Sequence, residues 1–242
     1  NQIEAGCVSV VCPLGKENSA EFLKLAEKDN LNVFAVETIG RVRECITLLD
    51  VENGTTTELV VGEPVTADSY QENEEKLISV VESLIKDVDG VLFAGSRPGI
   101  WSDGFIPCIA FMAEKNGKIF MADYCGEDLL HTMKITIPSI IKINEEEFCS
   151  TFDYSEEISE ENLQSAIIKK SQQLKNIIVV TRGKKSTFAA DNGIFYDFPT
   201  EKIIPVNTTA CGDSFSAGFL YEYVNSHDNL FYMVNPVAKI TH

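Results

Sequence analysis

The chain has 242 residues, 44% of them hydrophobic, enough for one large domain with a well-buried core. Its 37 acidic against 20 basic residues give a formal net charge of −17, which argues against nucleic acid and against an anionic membrane surface as partners. Seven scattered cysteines, with no C-x-x-C pair and no histidines at ligand spacing, read as reduced thiols of a cytoplasmic protein, and no apolar run has membrane length.

In chain order, a buried strand is expected over Cys7–Cys12, and Asn18 with Glu21 three residues later predicts a capped helix start. The stretch from about 33 to 61 differs: two β-like runs, Arg43–Asp50 and Thr55–Val61, are joined by Glu52-Asn53-Gly54 with no helix between them. Asn-Gly is a strong hairpin signal, and a hairpin outside a helix–strand alternation suggests a small lid over an active site, with a plain edge hairpin as the alternative. Leu77, Ile78, Val81, Leu84 and Ile85 then recur at helical spacing. A strand over Gly90–Ala94, a helix through Phe105, Ile109 and Met112, and strands over Lys118–Ala122 and Ser139–Ile143 follow. A helix through Leu163, Ala166, Ile167 and Leu174 leads to a strand over Asn176–Thr181. This alternation is the pattern of an α/β domain with a mostly parallel sheet flanked by helices.

Chemistry concentrates in Asn207–Gly218, a turn of small and hydroxyl residues running into a helix. Ala210, Cys211 and Gly212 are small enough for their N–H groups to approach phosphate oxygens, and the peptide dipoles of the helix start favour the negative charge there. Asp213 could accept a hydroxyl proton, or it could merely cap the helix. Asn144 and Glu147 lie three apart just after a strand, so on a first helical turn they face the same way; the alternative is that Glu145–Glu147 decorate a helix N-terminus. Neither a G-x-x-x-x-G-K-[ST] pattern nor a G-x-G-x-x-G after a strand is present, so P-loop and dinucleotide-binding readings have no support.

The stretch Asn207–Gly218 resembles the D-T-T-G-A-G-D-[ST]-F-x-[AG]-G signature of the PfkB/ribokinase family of sugar kinases. Gly95-Ser96-Arg97-Pro98-Gly99 resembles, one proline shorter, the G-S-L-P-P-G turn of the branch acting on hexose phosphates, the phosphofructokinase and tagatose-6-phosphate kinase branch. Ile141–Glu147 resembles that branch's I-K-P-N-x-x-E segment, and Thr181-Arg182-Gly183 its T-x-G turn before the nucleotide pocket. Four motifs in the expected order cover nearly the whole chain. The resemblance implies a doubly wound ribokinase-like α/β fold with a small β lid at about 33–61, organised as a single domain over 1–242.

The same resemblance implies Mg²⁺- and ATP-dependent phosphorylation of a ketohexose phosphate, fructose 1-phosphate or tagatose 6-phosphate, to a bisphosphate. Asp213 would be the base and the amides of Ala210, Cys211 and Gly212 the anion hole, with Asn207 and Ala210 departing from the commonest signature. Lys142, Asn144, Thr181, Gly183 and Asn235 would bind nucleotide, and Glu147 with Asn144 would order Mg²⁺ through its waters. Arg43, in a run that resembles R-x-N-[IV] with Cys45 in place of asparagine, would bind the phosphate already on the sugar, with Arg41 the alternative if the register slips by two. Asp123 would contact that region through water, or act only as a strand-end cap, and a surface salt bridge explains Arg97. Asn1–Gly6 resembles the lead-in to the family's substrate turn, with Gly6 in that turn, yet a strand follows at once. The family's first strand and the helix after this turn are therefore expected to be missing from this sequence, and the C-terminus is expected to be cut short. A homodimer is compatible with the resemblance. The runner-up activities are a PfkB kinase of an unphosphorylated sugar or nucleoside, and a catalytically weak sugar-phosphate or nucleotide sensor.

Overall fold

The computed structural model describes residues 6–50, 52–53, 55–61, 70–98, 101–200 and 210–226. The chain divides into two compact units, Asn1–Leu84 with Arg97–Phe105, and Ile85–Ser96 with Ile106–His242. The chain passes from one unit to the other three times, after Leu84, after Ser96 and after Phe105.

The first unit holds β1 (Ser9–Gly15), α1 (Ser19–Lys28), β2 (Asn32–Thr38), β3 (Glu44–Asp50), β4 (Thr55–Val61) and α2 (Tyr70–Leu84). β1 and β2 pair in parallel, and α1 and α2 pack on them. β2, inside the stretch that the sequence sets apart, thus belongs to a different ladder from the hairpin, which is β3 antiparallel to β4. The connection is longer than an Asn-Gly two-residue turn. Asp50 pairs with Thr55, and the Asp50 carboxylate accepts from the backbone N–H groups of Glu52 and Asn53 and from the Asn53 amide at 2.7–3.0 Å. Both faces of the hairpin carry exposed apolar side chains, Ile46, Leu48, Leu59 and Val61 on one and Leu49 and Val60 on the other.

Asn18 precedes α1 as expected, but its side chain makes no capping bond. Its Oδ1 accepts from Val42 N at 2.6 Å and its Nδ2 donates to Val42 O at 3.3 Å. A long-range pairing to the backbone leading into the hairpin has displaced the local capping box, because both polar ends of the amide find partners there.

The second unit holds a short 3₁₀ turn (Ile85–Asp87), then β5 (Gly90–Ala94), α3 (Phe105–Lys115, whose first residue belongs to the other unit), β6 (Ile119–Asp123) and α4 (Gly126–Ile135). β7 (Ile140–Asn144), α5 (Glu145–Thr151), α6 (Glu160–Leu174), β8 (Ile177–Thr181), β9 (Thr187–Asp191), β10 (Ile194–Phe198) and α7 (Cys211–Ser226) follow. One six-stranded sheet runs in the order β10-β9-β8-β7-β6-β5. β5 to β8 are parallel, and β9 and β10 are added antiparallel. Parallel strands buried on both faces read as continuous apolar runs, as Ile140–Ile143 and Ile177–Val180 do.

Strand alternation assigns the faces. Met121, Ile140, Ile177, Val179 and Ala189 cluster with Phe215 and Phe219 of α7, so this face of the sheet meets α7. Phe215, Phe219 and Tyr223 recur every four residues and stack at 6.0 and 6.4 Å between ring centroids, forming the apolar stripe that docks the helix. Burial of Phe215 and Phe219 contributes about 2–3 kcal/mol each. Ile141, Ile143, Ile178 and Val180 face the other way by the same alternation, and α6 packs on β8, β9 and β10. No helix among the described residues is long and apolar enough to cross a membrane.

Candidate active site

The parallel strands end in Ala94, Asp123, Asn144 and Thr181, and ligands of such sheets bind beyond this carboxyl edge. Asp123 is two residues beyond Met121, and Lys142 two beyond Ile140, so both inherit the α7 face. The register Met121↔Ile140 and Ala122↔Ile141 makes them neighbours one step further on. The Lys142 ammonium donates to both oxygens of Asp123, at 3.0 and 3.1 Å, with the two side chains only 8% and 13% exposed. An isolated lysine would be solvated; this one is buried because a carboxylate in the next strand compensates its charge, and removing either partner costs about 3–5 kcal/mol. Ser216 of α7, fully buried, donates to the same carboxylate at 2.6 Å.

α7 opens directly over this pair. Ser214 N donates to Ala210 O at 2.9 Å, so the carbonyl of Ala210 accepts the first helical bond and Asp213 lies inside the first turn. Asp213 is therefore not the helix cap; it is an exposed carboxylate on the third helical residue. The N–H groups of Cys211, Gly212 and Asp213 have no intrahelical acceptor and bear the positive end of the helix dipole. Ala210 reaches the turn at φ 61°, a left-handed conformation that glycine adopts freely and alanine does not. A Cβ on Gly212 would lie 3.1 Å from Lys142 Nζ, so the small residue is what lets the ammonium approach the turn. Asn207–Thr209, the beginning of the signature, lie outside the described residues.

On the next row of the sheet, Asn144 pairs with Thr181 in the β7–β8 register. Asn144 and Glu147 form a reciprocal capping box. Asn144 Oδ1 accepts from Glu147 N and Glu147 Oε2 accepts from Asn144 N, both at 2.8 Å. The first-turn arrangement expected from their spacing is present, and Glu145–Glu147 do stand in the first turn of the helix, as the alternative had it; the capping box itself was not expected. Hard oxygen donors suit Mg²⁺, and Glu147 Oε1 is the oxygen that the box leaves over. One carboxylate oxygen beside a capped amide fits a cation that keeps most of its waters.

Asn144, Thr181 and Gly183 line one cavity of about 440 Å³, together with Glu145, Arg182 and Lys185. Gly183 has φ 59° with nothing within 4 Å of a built Cβ, so backbone conformation rather than space calls for glycine. Arg182 turns to the face opposite α7. Its guanidinium lies 3.9 Å over the Phe188 ring and bonds Glu145 at 3.0 Å and Glu160 at 2.5 Å. Burial alone would lower the Arg182 pKa, but the hydrogen bonds and charges of Glu160 and Glu145 outweigh it and hold it above the ordinary arginine value. The hydrogen bond from Arg182, backed by its charge, holds the Glu160 carboxyl below its ordinary value. Arg182 thereby ties the starts of α5 and α6 to the end of β8.

The structure brings Asp123, Lys142 and Gly212 together, and it sets Asn144, Thr181 and Gly183 around one cavity. Gly6, at φ 80°, and Arg43, exposed just before β3, are described with the first unit. Arg41 is held by an exposed ion pair to Glu44 at 2.8 Å. Arg97 bonds the Trp101 carbonyl and the Asp103 carboxylate, the salt bridge expected of it. Asn235 lies outside the described residues. Sequence reasoning missed Ser216 and the clasp made by Arg182. The signal for Ser216 was its spacing of four from Gly212, which puts both on one side of α7.

The chain matches the model of the pfkB family of carbohydrate kinases over residues 4–231. It belongs to that family. A tagatose-6-phosphate kinase of Staphylococcus epidermidis is 27% identical over 214 residues, a match covering 84% of this chain and 66% of that protein, just under two thirds of its length. Phosphofructokinase-2 from Escherichia coli, in complex with potassium, superposes with a TM-score of 0.82 at 17% identity, covering 98% of this chain and 75% of that one. A protein described as a possible 1-phosphofructokinase from Thermotoga maritima gives 0.80 at 17% identity, covering 96% and 73%. At such identities these structures establish the ribokinase-like fold of this pfkB chain.

Proposed function

We propose that this pfkB-family protein transfers the γ-phosphoryl group of ATP to a hydroxyl of a ketohexose phosphate, fructose 1-phosphate or tagatose 6-phosphate, giving a bisphosphate and ADP. The observation that carries the reading is the start of α7, whose first turn carries an exposed carboxylate and helix-start amides and which the buried Lys142 ammonium approaches at Gly212. The acceptor oxygen attacks the γ-phosphorus, its proton passes to Asp213, and the bond from that phosphorus to the β,γ-bridging oxygen breaks to release ADP. The amides of Ala210, Cys211 and Gly212 offset the charge on the migrating group, and the Lys142 ammonium, neutralised as a pair by Asp123, stands beside them as a fixed hydrogen-bond donor. Asn144, Thr181 and Gly183 hold the nucleotide beyond the carboxyl ends of β7 and β8. Mg²⁺, held through its waters near Glu147, would supply charge neutralisation of the phosphates.

Arg43 receives the phosphate that the acceptor already carries. An assay of ADP release over a panel of sugars and sugar phosphates tests this. Turnover on ketohexose phosphates, with phosphate-free sugars and nucleosides poorer by about 100-fold or more in kcat/KM, is the expected result. Preference for a phosphate-free acceptor would overturn the substrate class, and ligand binding without any ADP release would overturn the activity.

A further inference from the structure

We infer that Ser216 is a positioning residue for phosphoryl transfer, holding Asp123, and through Asp123 the Lys142 ammonium, against the amide turn of α7; this rests on the activity proposed above. A serine in a helix interior ordinarily returns its hydroxyl to the carbonyl four residues back, which satisfies the hydroxyl and adds nothing tertiary. Ser216 Oγ does lie 3.0 Å from Gly212 O, but it lies closer, 2.6 Å, to Asp123 Oδ2 on β6. Its single proton goes preferentially to the charged acceptor, where hydrogen bonds are shorter and stronger.

The consequence is a continuous chain from helix to sheet to helix. Ser216 fixes one oxygen of Asp123, Asp123 receives the Lys142 ammonium on both oxygens, and that ammonium reaches to 3.1 Å from where a side chain on Gly212 would begin. The chain starts and ends on the first turn and a half of α7. The ammonium takes both carboxylate oxygens and the Ser216 hydroxyl takes Oδ2 as well, so the two donors together hold the plane of the carboxylate and with it the place of the ammonium. Without the hydroxyl, Asp123 keeps its ion pair but can rotate about its own side chain, and Lys142 moves with it. Among the described residues, Lys142 and Ser216 are the side chains that donate to the Asp123 carboxylate, and Ser216 links it to α7.

The test compares wild type with Ser216→Ala in the full chain, by steady-state kinetics with Mg-ATP and by amide hydrogen exchange resolved to peptides. The expected result is a fall in kcat on the order of 10-fold with the acceptor KM held within roughly twofold, because misplacement affects the transferring group rather than sugar binding. Exchange should rise by about 10-fold in the peptide covering 210–217 and stay unchanged over 218–224, where the aromatic stripe still docks the helix. A merely structural serine would instead loosen all of α7 and leave kcat per folded molecule unaltered. Turnover within twofold of wild type, or loosening spread evenly along α7, overturns the inference. If wild type itself turns over no acceptor, the activity fails separately, and the exchange pattern alone decides whether Ser216 locks the turn.

Discussion

Ala210 shows how one residue records a compromise at the anion turn. Where the family signature has glycine, this chain places alanine, and the backbone still adopts φ 61°. The turn geometry is retained at the expense of local strain, a pattern concentrated at functional sites. Ala210→Gly should therefore stabilise the protein by about 1 kcal/mol, raising Tm by roughly 2–4 °C, since the strain relieved exceeds the entropy that glycine adds to the unfolded chain. Thermal melting of the two proteins checks this; an equal or lower Tm for the glycine variant would show that the turn is unstrained. Lys142 carries the complementary lesson. Read alone it is a surface charge, and only the register of β6 against β7 shows that Asp123 stands beside it.

At the scale of elements, the Arg182 clasp links β8 to the first turns of α5 and α6, and its pH dependence has a definite sign. Glu160 has a folded pKa below its ordinary value of 4.5, so its contribution is fully present above that value and is lost as pH falls through the lowered one. The Tm difference between wild type and Glu160→Gln should accordingly be largest above pH 4.5 and shrink as pH falls below it. A difference independent of pH would show that the carboxylate charge is not what the clasp uses.

The parallel strands and long helices were legible in the sequence because continuous short apolar runs and four-residue apolar spacing are local signals, and the strands at 90–94, 140–144 and 177–181 lie within a residue of their expected bounds. β9 and β10 were not read, although Asn192-Gly193 carries the same dipeptide signal as Asn53-Gly54. Asn192 at φ 48° and Gly193 at φ 88° make the two-residue turn between Asp191 and Ile194. In the first hairpin the ladder closes at Asp50 and Thr55 instead, and the Asp50 carboxylate captures the backbone N–H groups of Glu52 and Asn53. The Asn18 amide likewise followed a long-range partner, Val42, that no local rule contains. In the site, Asp213, Gly212, Asn144 and Glu147 were legible as spacing, whereas Ser216 was not, because it fills a position that the signature leaves open.

For the molecule as a whole, the family match runs through both compact units, and the residues proposed for phosphoryl transfer and nucleotide binding all stand in the second, at the carboxyl edge of its sheet and the start of α7. With a net charge of −17, an anionic nucleotide needs local positive charge, and in the proposed reaction that comes from the first-turn amides of α7 rather than from a basic surface. The central claim is that Asp213 takes the acceptor's proton. Single-turnover phosphoryl transfer by Asp213→Asn, measured beside its affinity for Mg-ATP, tests this most directly. The account predicts a rate lower by about 1,000-fold or more with nucleotide affinity within roughly threefold of wild type, as expected when a base acting only in the transition state is removed. A variant that transfers phosphate at the wild-type rate would contradict it.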